Sequence, residues 1–250
     1  MPILYHQGPV AHSAKVLIVL AEKGLAFDCR RVDPPCGPQD PDILSANYAG
    51  SVPVLVTDDG AVIGESSTIA EYIDDTHPEV PLMPHDAVEK WRTRVWFKFV
   101  NEDLAPAACV LAWNKWGRPR RDEGALAAIR SRLEALPEHR QAFWAEALSG
   151  FGKKRVDHAR QKIAMVVGLI EARLSEFEYL AGDTYSLADI DVWPFVSVLP
   201  QLVPALAWPG SAPKTLEWID KVAQRPAVRL VTAEATEADW LPGPEPIRWG

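Results

Sequence analysis

Two short stretches carry the side chains best suited to chemistry. Ser13 stands at the start of a predicted helix, just after a first strand and a Gly8-Pro9 break. A hydroxyl there, backed by the amides of the first turn, either donates a hydrogen bond to an anion or simply caps the helix. Glu65-Ser66-Ser67 opens another predicted helix. Ser66 and the helix amides suit a carboxylate and Glu65 suits an ammonium group, and the same residues also make an ordinary capped, acidic helix start. Between the two, Val52-Pro53 enters a strand pattern. In trans this is a plain strand entry, whereas a cis bond would turn the Val52 backbone N–H and C=O outward to pair with an extended peptide.

Other chemistries are excluded by composition. Cys29, Cys36 and Cys109 are an odd set without C-x-x-C or Cys/His spacing, which argues against a disulfide scaffold and against a metal site. A formal charge of −8 disfavours a nucleic-acid backbone as partner. No apolar run approaches the roughly 20 residues of a membrane span, and the first residues lack the pattern of an export signal. The expected compartment is the cytoplasm.

The elements that must position these residues change character along the chain. Ile3 to His6 and Phe27 to Val32 read as strands flanking a helix from Ala14 to Leu25, and a short helix is expected around Pro41 to Ala46. Two β-branched runs around Asp58-Asp59-Gly60 form a hairpin pattern, followed by a helix from Glu65 to Asp75. This is βαβαββα. After the proline-marked stretch His77 to Asp86 the strand pattern fades and helices are expected over Ala87–Trp116, with Pro106 bending or interrupting the first, then over Arg155–Phe177 and Lys214–Arg225, where Pro226 stops the last. Ser186 and Asp189 have capping-box spacing before the apolar run Ile190 to Leu199. The tail from Asp239, rich in proline and glycine, is expected to lie extended on the surface.

A βαβαββα unit joined to an all-helical unit resembles the glutathione transferases, and three motifs sharpen the likeness. Ser51-Val52-Pro53-Val54-Leu55 resembles the family's entry to its third strand, Glu65-Ser66-Ser67 its γ-glutamyl-binding pair, and Ser186-Leu187-Ala188-Asp189 its buried capping box. The implied fold is a thioredoxin-like domain over residues 1–80 and an all-helical substrate-binding domain over residues 86–250. A narrower resemblance is to the bacterial glutathione-dependent β-etherases of lignin breakdown. It is carried by Gly8-Pro9 with Ser13-Ala14-Lys15, Ala21 to Leu25, Val32-Asp33-Pro34, Arg94-Val95-Trp96, Leu136-Pro137-Glu138, Asp183 to Asp189 and the long insertion Arg118 to Phe151.

This resemblance implies glutathione as co-substrate, an aromatic small molecule as the second substrate, and a homo- or heterodimer. A thiol with an ordinary pKa near 8.5 is mostly protonated at neutral pH, so an activator is required, and the resemblance assigns that task to Ser13. His12 is a weaker candidate for a base, and Tyr5 and Cys36 are assigned no catalytic part. Val52, Pro53, Glu65 and Ser66 are expected to hold glutathione. From Val32 to Glu89 there is no lysine or arginine, so the glycine carboxylate needs another partner, for which Gln39, Asn47, His12, Lys15 or the Lys153-Lys154-Arg155 run are candidates. Core packing accounts for most of the ten tryptophans, while Trp96, Trp113, Trp116 and Trp144 fall where the family builds its acceptor pocket. The expected reaction is thiolate displacement of a phenol from a β-aryl ether of a lignin-derived aromatic ketone. Alternatives are a detoxifying transferase acting on halides or epoxides and a non-catalytic binding relative.

Overall fold

Alternation along Ile3-Leu4-Tyr5-His6 sends Leu4 into the main core and Tyr5 to the opposite sheet face, and this strand, β1 (Ile3–His6), is central to the sheet. A computed structural model describes residues 1–32, 51–118, 122–131, 133–135, 138–206 and 208–234. β1 pairs in parallel with β2 (Asp28–Arg31) and antiparallel with β3 (Val54–Val56), which pairs antiparallel with β4 (Val62–Ile63), giving the order β2-β1-β3-β4. A parallel pair needs a crossover, supplied by α1 (Ala11–Glu22). The hairpin between β3 and β4 turns at Gly60, whose φ of 84° lies in the region that favours glycine. Next comes α2 (Ser66–Thr76), packed on α1. The expected helix at Pro41–Ala46 and the tail from Asp239 lie outside the described residues, as do Gln39, Cys36 and Asn47.

The proline-marked stretch is fastened to the sheet domain. The buried Lys23 ammonium lies 2.7 Å from a carboxylate oxygen of Asp74 and donates to the carbonyls of His77 and Val80, both also at 2.7 Å. Asp74 in turn accepts from the amides of Leu82 and Met83.

Beyond it the chain is helical. Asp86 caps α3 (Ala87–Phe99) by accepting from the amides of Val88 and Glu89. The expected interruption at Pro106 takes another form. A π-helical turn at Val100–Leu104 carries the chain into α4 (Ala105–Ala112), and a second follows at Trp113–Gly117. Proline has no N–H for the carbonyl four residues back, and the wider turn just ahead of Pro106 absorbs that loss without ending the helix. Gly117 is needed because a Cβ there would lie 2.6 Å from the Trp113 ring.

The insertion folds as α5 (Glu123–Ser131), a 3₁₀ turn at Leu133–Ala135 and α6 (Glu138–Ser149). The long α7 (Lys153–Leu174) precedes the central α8 (Leu187–Val196), every residue of which is buried. Short helices α9 (Leu199–Leu202) and α10 (Trp208–Ser211) lead to α11 (Pro213–Ala223) and α12 (Pro226–Ala233). Pro226, expected to stop a helix, opens a new one, because its fixed φ and missing N–H suit a first helical turn. The capping box forms as expected: Ser186 Oγ accepts from the Ala188 amide and Asp189 accepts from the Ser186 amide. No helix among the described residues is long and apolar enough to cross a membrane.

Candidate active site

Ser13 is the third residue of α1, not its cap; Val10 holds the capping position without a side-chain bond. Ser13 is fully buried, and its Oγ accepts from the Gln7 amide at 3.2 Å, pinning the loop between β1 and α1 over the first helical turn. That bond leaves the hydroxyl proton for another acceptor. The loop is held a second time by the Gly8 amide, which donates to His6 Nδ1 at 3.0 Å. Burial, aided by the Arg31 charge, lowers the His6 pKa and so favours the neutral ring able to accept that bond. Tyr5 points away, buried on the other sheet face beneath the Arg30 guanidinium.

The start of α2 departs from the expected capped turn. Neither Ser66 nor Ser67 caps the helix. Ser66 Oγ shares a hydrogen bond of 3.2 Å with His12 Nδ1, and Ser67 Oγ donates at 2.6 Å to Asp191 of α8. The first amides of α2 therefore keep their affinity for an external carboxylate. Glu65, in the N-cap position, has φ 64° and ψ 111°, a conformation L-residues rarely adopt. Such strain gathers at ligand sites. The Val52-Pro53 bond is cis, as expected.

His12 thus stands between the two helix starts. Its ring also meets Phe195 edge-on at 4.9 Å. Burial, with the nearby Lys15 charge adding to it, holds its pKa well below the usual 6.5, so the ring is neutral near pH 7. Lys15, fully buried one residue beyond Ala14, forms an ion pair with Asp191 at 2.9 Å. Asp191 was not among the residues expected to matter. Its signal in the sequence was a carboxylate inside the apolar run of α8, as Lys15 is a cation inside the apolar face of α1.

A narrow apolar pocket opens beside the same turn of α1. Pro9, Ala11 and Ala14 line it from the sheet domain, and Ala112, Trp116 and Trp193 face them from the helical domain. Its volume, about 40 Å³, is well below the roughly 150 Å³ that holds a benzene, so an aryl group enters only as these side chains move. Of the four tryptophans singled out, only Trp116 reaches this pocket. Trp96 Nε1 donates to the Leu180 carbonyl, and Trp113 Nε1 donates to the Ala147 carbonyl while its ring meets Trp144 at 5.1 Å, so these three pack within the helical domain. Trp193 lines the pocket and was missed, because a tryptophan in a uniformly apolar helix gives no sign of which face is open. Lys153, Lys154 and Arg155 begin α7, where Lys153 pairs with Asp157 and Arg155 with Glu146.

Residues 11–76 match the family described as glutathione S-transferase, N-terminal domain, and residues 130–226 match the glutathione S-transferase C-terminal domain. The chain is 31% identical to the protein LigF of Sphingobium sp. over 255 aligned positions, covering 95% of each. It is 27% identical to glutathione S-transferase F10 of Arabidopsis thaliana, covering 90% of this chain and 93% of the relative. The crystal structure of β-etherase LigF from Sphingobium sp. strain SYK-6 matches with a TM-score of 0.81 at 29% identity, covering 94% of this chain and 99% of that one.

Proposed function

The chain belongs to the glutathione S-transferase family, and from that premise we propose that it is a glutathione-dependent β-etherase acting on lignin-type aryl ethers. One observation carries the transferase geometry. A single turn of α1 serves two subsites, with His12 bonded to Ser66 at the start of α2 and Ser13 holding the β1–α1 loop, while Ala11 and Ala14 line the apolar pocket. The likeness to LigF along nearly the whole chain supports the choice of an ether substrate.

Glutathione supplies the nucleophile: its sulfur bonds to the carbon next to a ketone, the carbon–oxygen bond breaks, and the phenolate leaves to take up a proton. The residues here bind and orient. The α2 amides and Ser66 take the γ-glutamyl carboxylate, and Glu65 takes its ammonium group. The Val52 backbone pairs with the cysteinyl unit. Ser13 donates its hydroxyl proton toward the sulfur, and the positive end of α1 favours the anion. Trp116, Trp193 and Phe195 wall the aryl group.

The protein is proposed to act in the cytoplasm as a dimer. Val88, Trp91, Met165 and Leu169, which are 40–61% exposed on α3 and α7, support an interface there.

The test is incubation with each enantiomer of a keto β-aryl ether, with and without glutathione, followed by analysis of phenol and thioether. Phenol and thioether in equal amounts, only with glutathione, are expected. Phenol release without glutathione, or none under any condition, overturns the assignment. Thiol consumption with halides or epoxides but no phenol from the ether marks a detoxifying transferase instead.

A further inference from the structure

The first turn of α2 is held from below by the helical domain. Ser67 Oγ donates at 2.6 Å to one oxygen of Asp191, 124 residues away, and the other oxygen lies 2.9 Å from the Lys15 ammonium. Lys15 and Asp191 are 0% and 2% exposed, so this is an interior ion pair and not a surface one. Neither atom of this ion pair has a further hydrogen-bond partner among the described residues. One turn farther along α8, the Phe195 ring lies 5.3 Å from the same ammonium and 4.9 Å from the His12 ring. A single helix of one domain therefore touches both helix starts of the other, the one bearing Ser13 and the one bearing Glu65 and Ser66.

We propose that Asp191 is a positioning residue for the glutathione subsite. Through Ser67 and Lys15 it locks the start of α2 to the start of α1, fixing the distance between the groups that seat the γ-glutamyl end and the hydroxyl that faces the sulfur. This rests on the reading of the chain as a glutathione transferase. Two further observations support it. Glu65 keeps a strained backbone, which persists only where its surroundings over-determine it, and the Ser67–Asp191 bond is one such constraint. The charges also match the ligand. Glu65 and Asp191 against Lys15 leave one negative charge beside open helix amides, which complements the ammonium and carboxylate of an α-amino acid end.

The experiment is calorimetric titration of glutathione into the wild type, Ser67→Ala, Asp191→Asn and the double variant Lys15→Met/Asp191→Asn, with KM for glutathione and for the acceptor measured in parallel. Each variant is expected to bind glutathione about 10-fold or more weakly, as loss of a hydrogen bond to a charged group implies, with KM for glutathione rising in step and KM for the acceptor unchanged. A purely structural role would lower the melting temperature and leave glutathione affinity at the wild-type value, which overturns the proposal. Should Asp191→Asn fail to fold around an unpaired Lys15, the double variant has no buried charge and Ser67→Ala keeps the ion pair. Wild-type affinity in those two overturns it equally. If the wild type itself binds no glutathione, the transferase reading falls and takes this inference with it.

Discussion

Arg225 grips Glu22 with both arms of its fork, Nε to one carboxylate oxygen at 2.6 Å and Nη2 to the other at 2.9 Å. The pair ties the last turn of α1 to the junction of α11 and α12, and the guanidinium lies 3.6 Å over the ring of Tyr185. Lysine has neither the planar fork nor the stacking face. Arg225→Lys should cost about 1–2 kcal/mol, read as a lower urea midpoint with unchanged slope. An unchanged midpoint would show that the clasp adds nothing to stability.

Ser13→Ala should lower kcat by about one to two orders of magnitude near neutral pH, since one hydrogen bond to an anion contributes roughly 1.5–3 kcal/mol. The basic limb of the rate profile should move up toward the pKa of free glutathione. Glutathione affinity should change little, because Ser66, Glu65 and Val52 hold the rest of the tripeptide. A comparable fall at pH well above 9 would place the role of Ser13 elsewhere than in thiol ionisation.

Burial pushes the Asp189 carboxyl up to about 6, against hydrogen bonds from Trp218, Leu180 and Ser186 that pull it down. In the unfolded chain the value is near 3.9. The folded state holds the proton more tightly, so this group's stabilising contribution is full below about pH 4 and is lost as pH rises through 6, on the order of 3 kcal/mol. Asp189→Asn does not titrate. Wild-type stability relative to that variant should therefore fall by this amount between about pH 4 and 7, as measured by urea unfolding. A flat difference would contradict the raised carboxyl.

His12 carries the opposite linkage. Burial and the Lys15 charge lower its pKa, so its contribution is present above the unfolded value of about 6.5 and is lost as pH falls below it. Its ring signals in a proton spectrum should not shift between about pH 6 and 8. A midpoint inside that range would mean the ring is charged when Ser66 meets it.

Ala112→Val should occlude the apolar pocket, which Ala112 lines from the same side as Trp116 and Trp193. The expected result is a rise of about 10-fold or more in acceptor KM with glutathione affinity unchanged. Equal loss for both substrates would separate this pocket from the acceptor site.

The elements that repeat a local rule were legible in the sequence. Gly60 announced the hairpin, Ser186 and Asp189 their capping box, and the change from strand to helix pattern the two-part architecture. What escaped was set by partners far away in the chain. Ser66 and Ser67 have the residue type of caps, yet His12 and Asp191 claim their hydroxyls. The π turn at Val100–Leu104 adds a residue to the helical rhythm, so spacing along the expected helix Ala87–Trp116 does not tell which face Trp113 and Trp116 join. Pro226 obeyed its local chemistry but at the start of a helix, which a stop and a start share in sequence.

The Lys23 anchorage decides where the protein can be cut. A fragment ending at residue 76 would leave that ammonium without the carbonyls of His77 and Val80, and Asp74 without the amides of Leu82 and Met83, exposing a cation and a carboxylate built for enclosure. The sheet half is autonomous only if it keeps the chain through Met83. For a protease, the vulnerable bond of the proline-rich stretch is accordingly the one between exposed His85 and Asp86, beyond those moorings and ahead of α3.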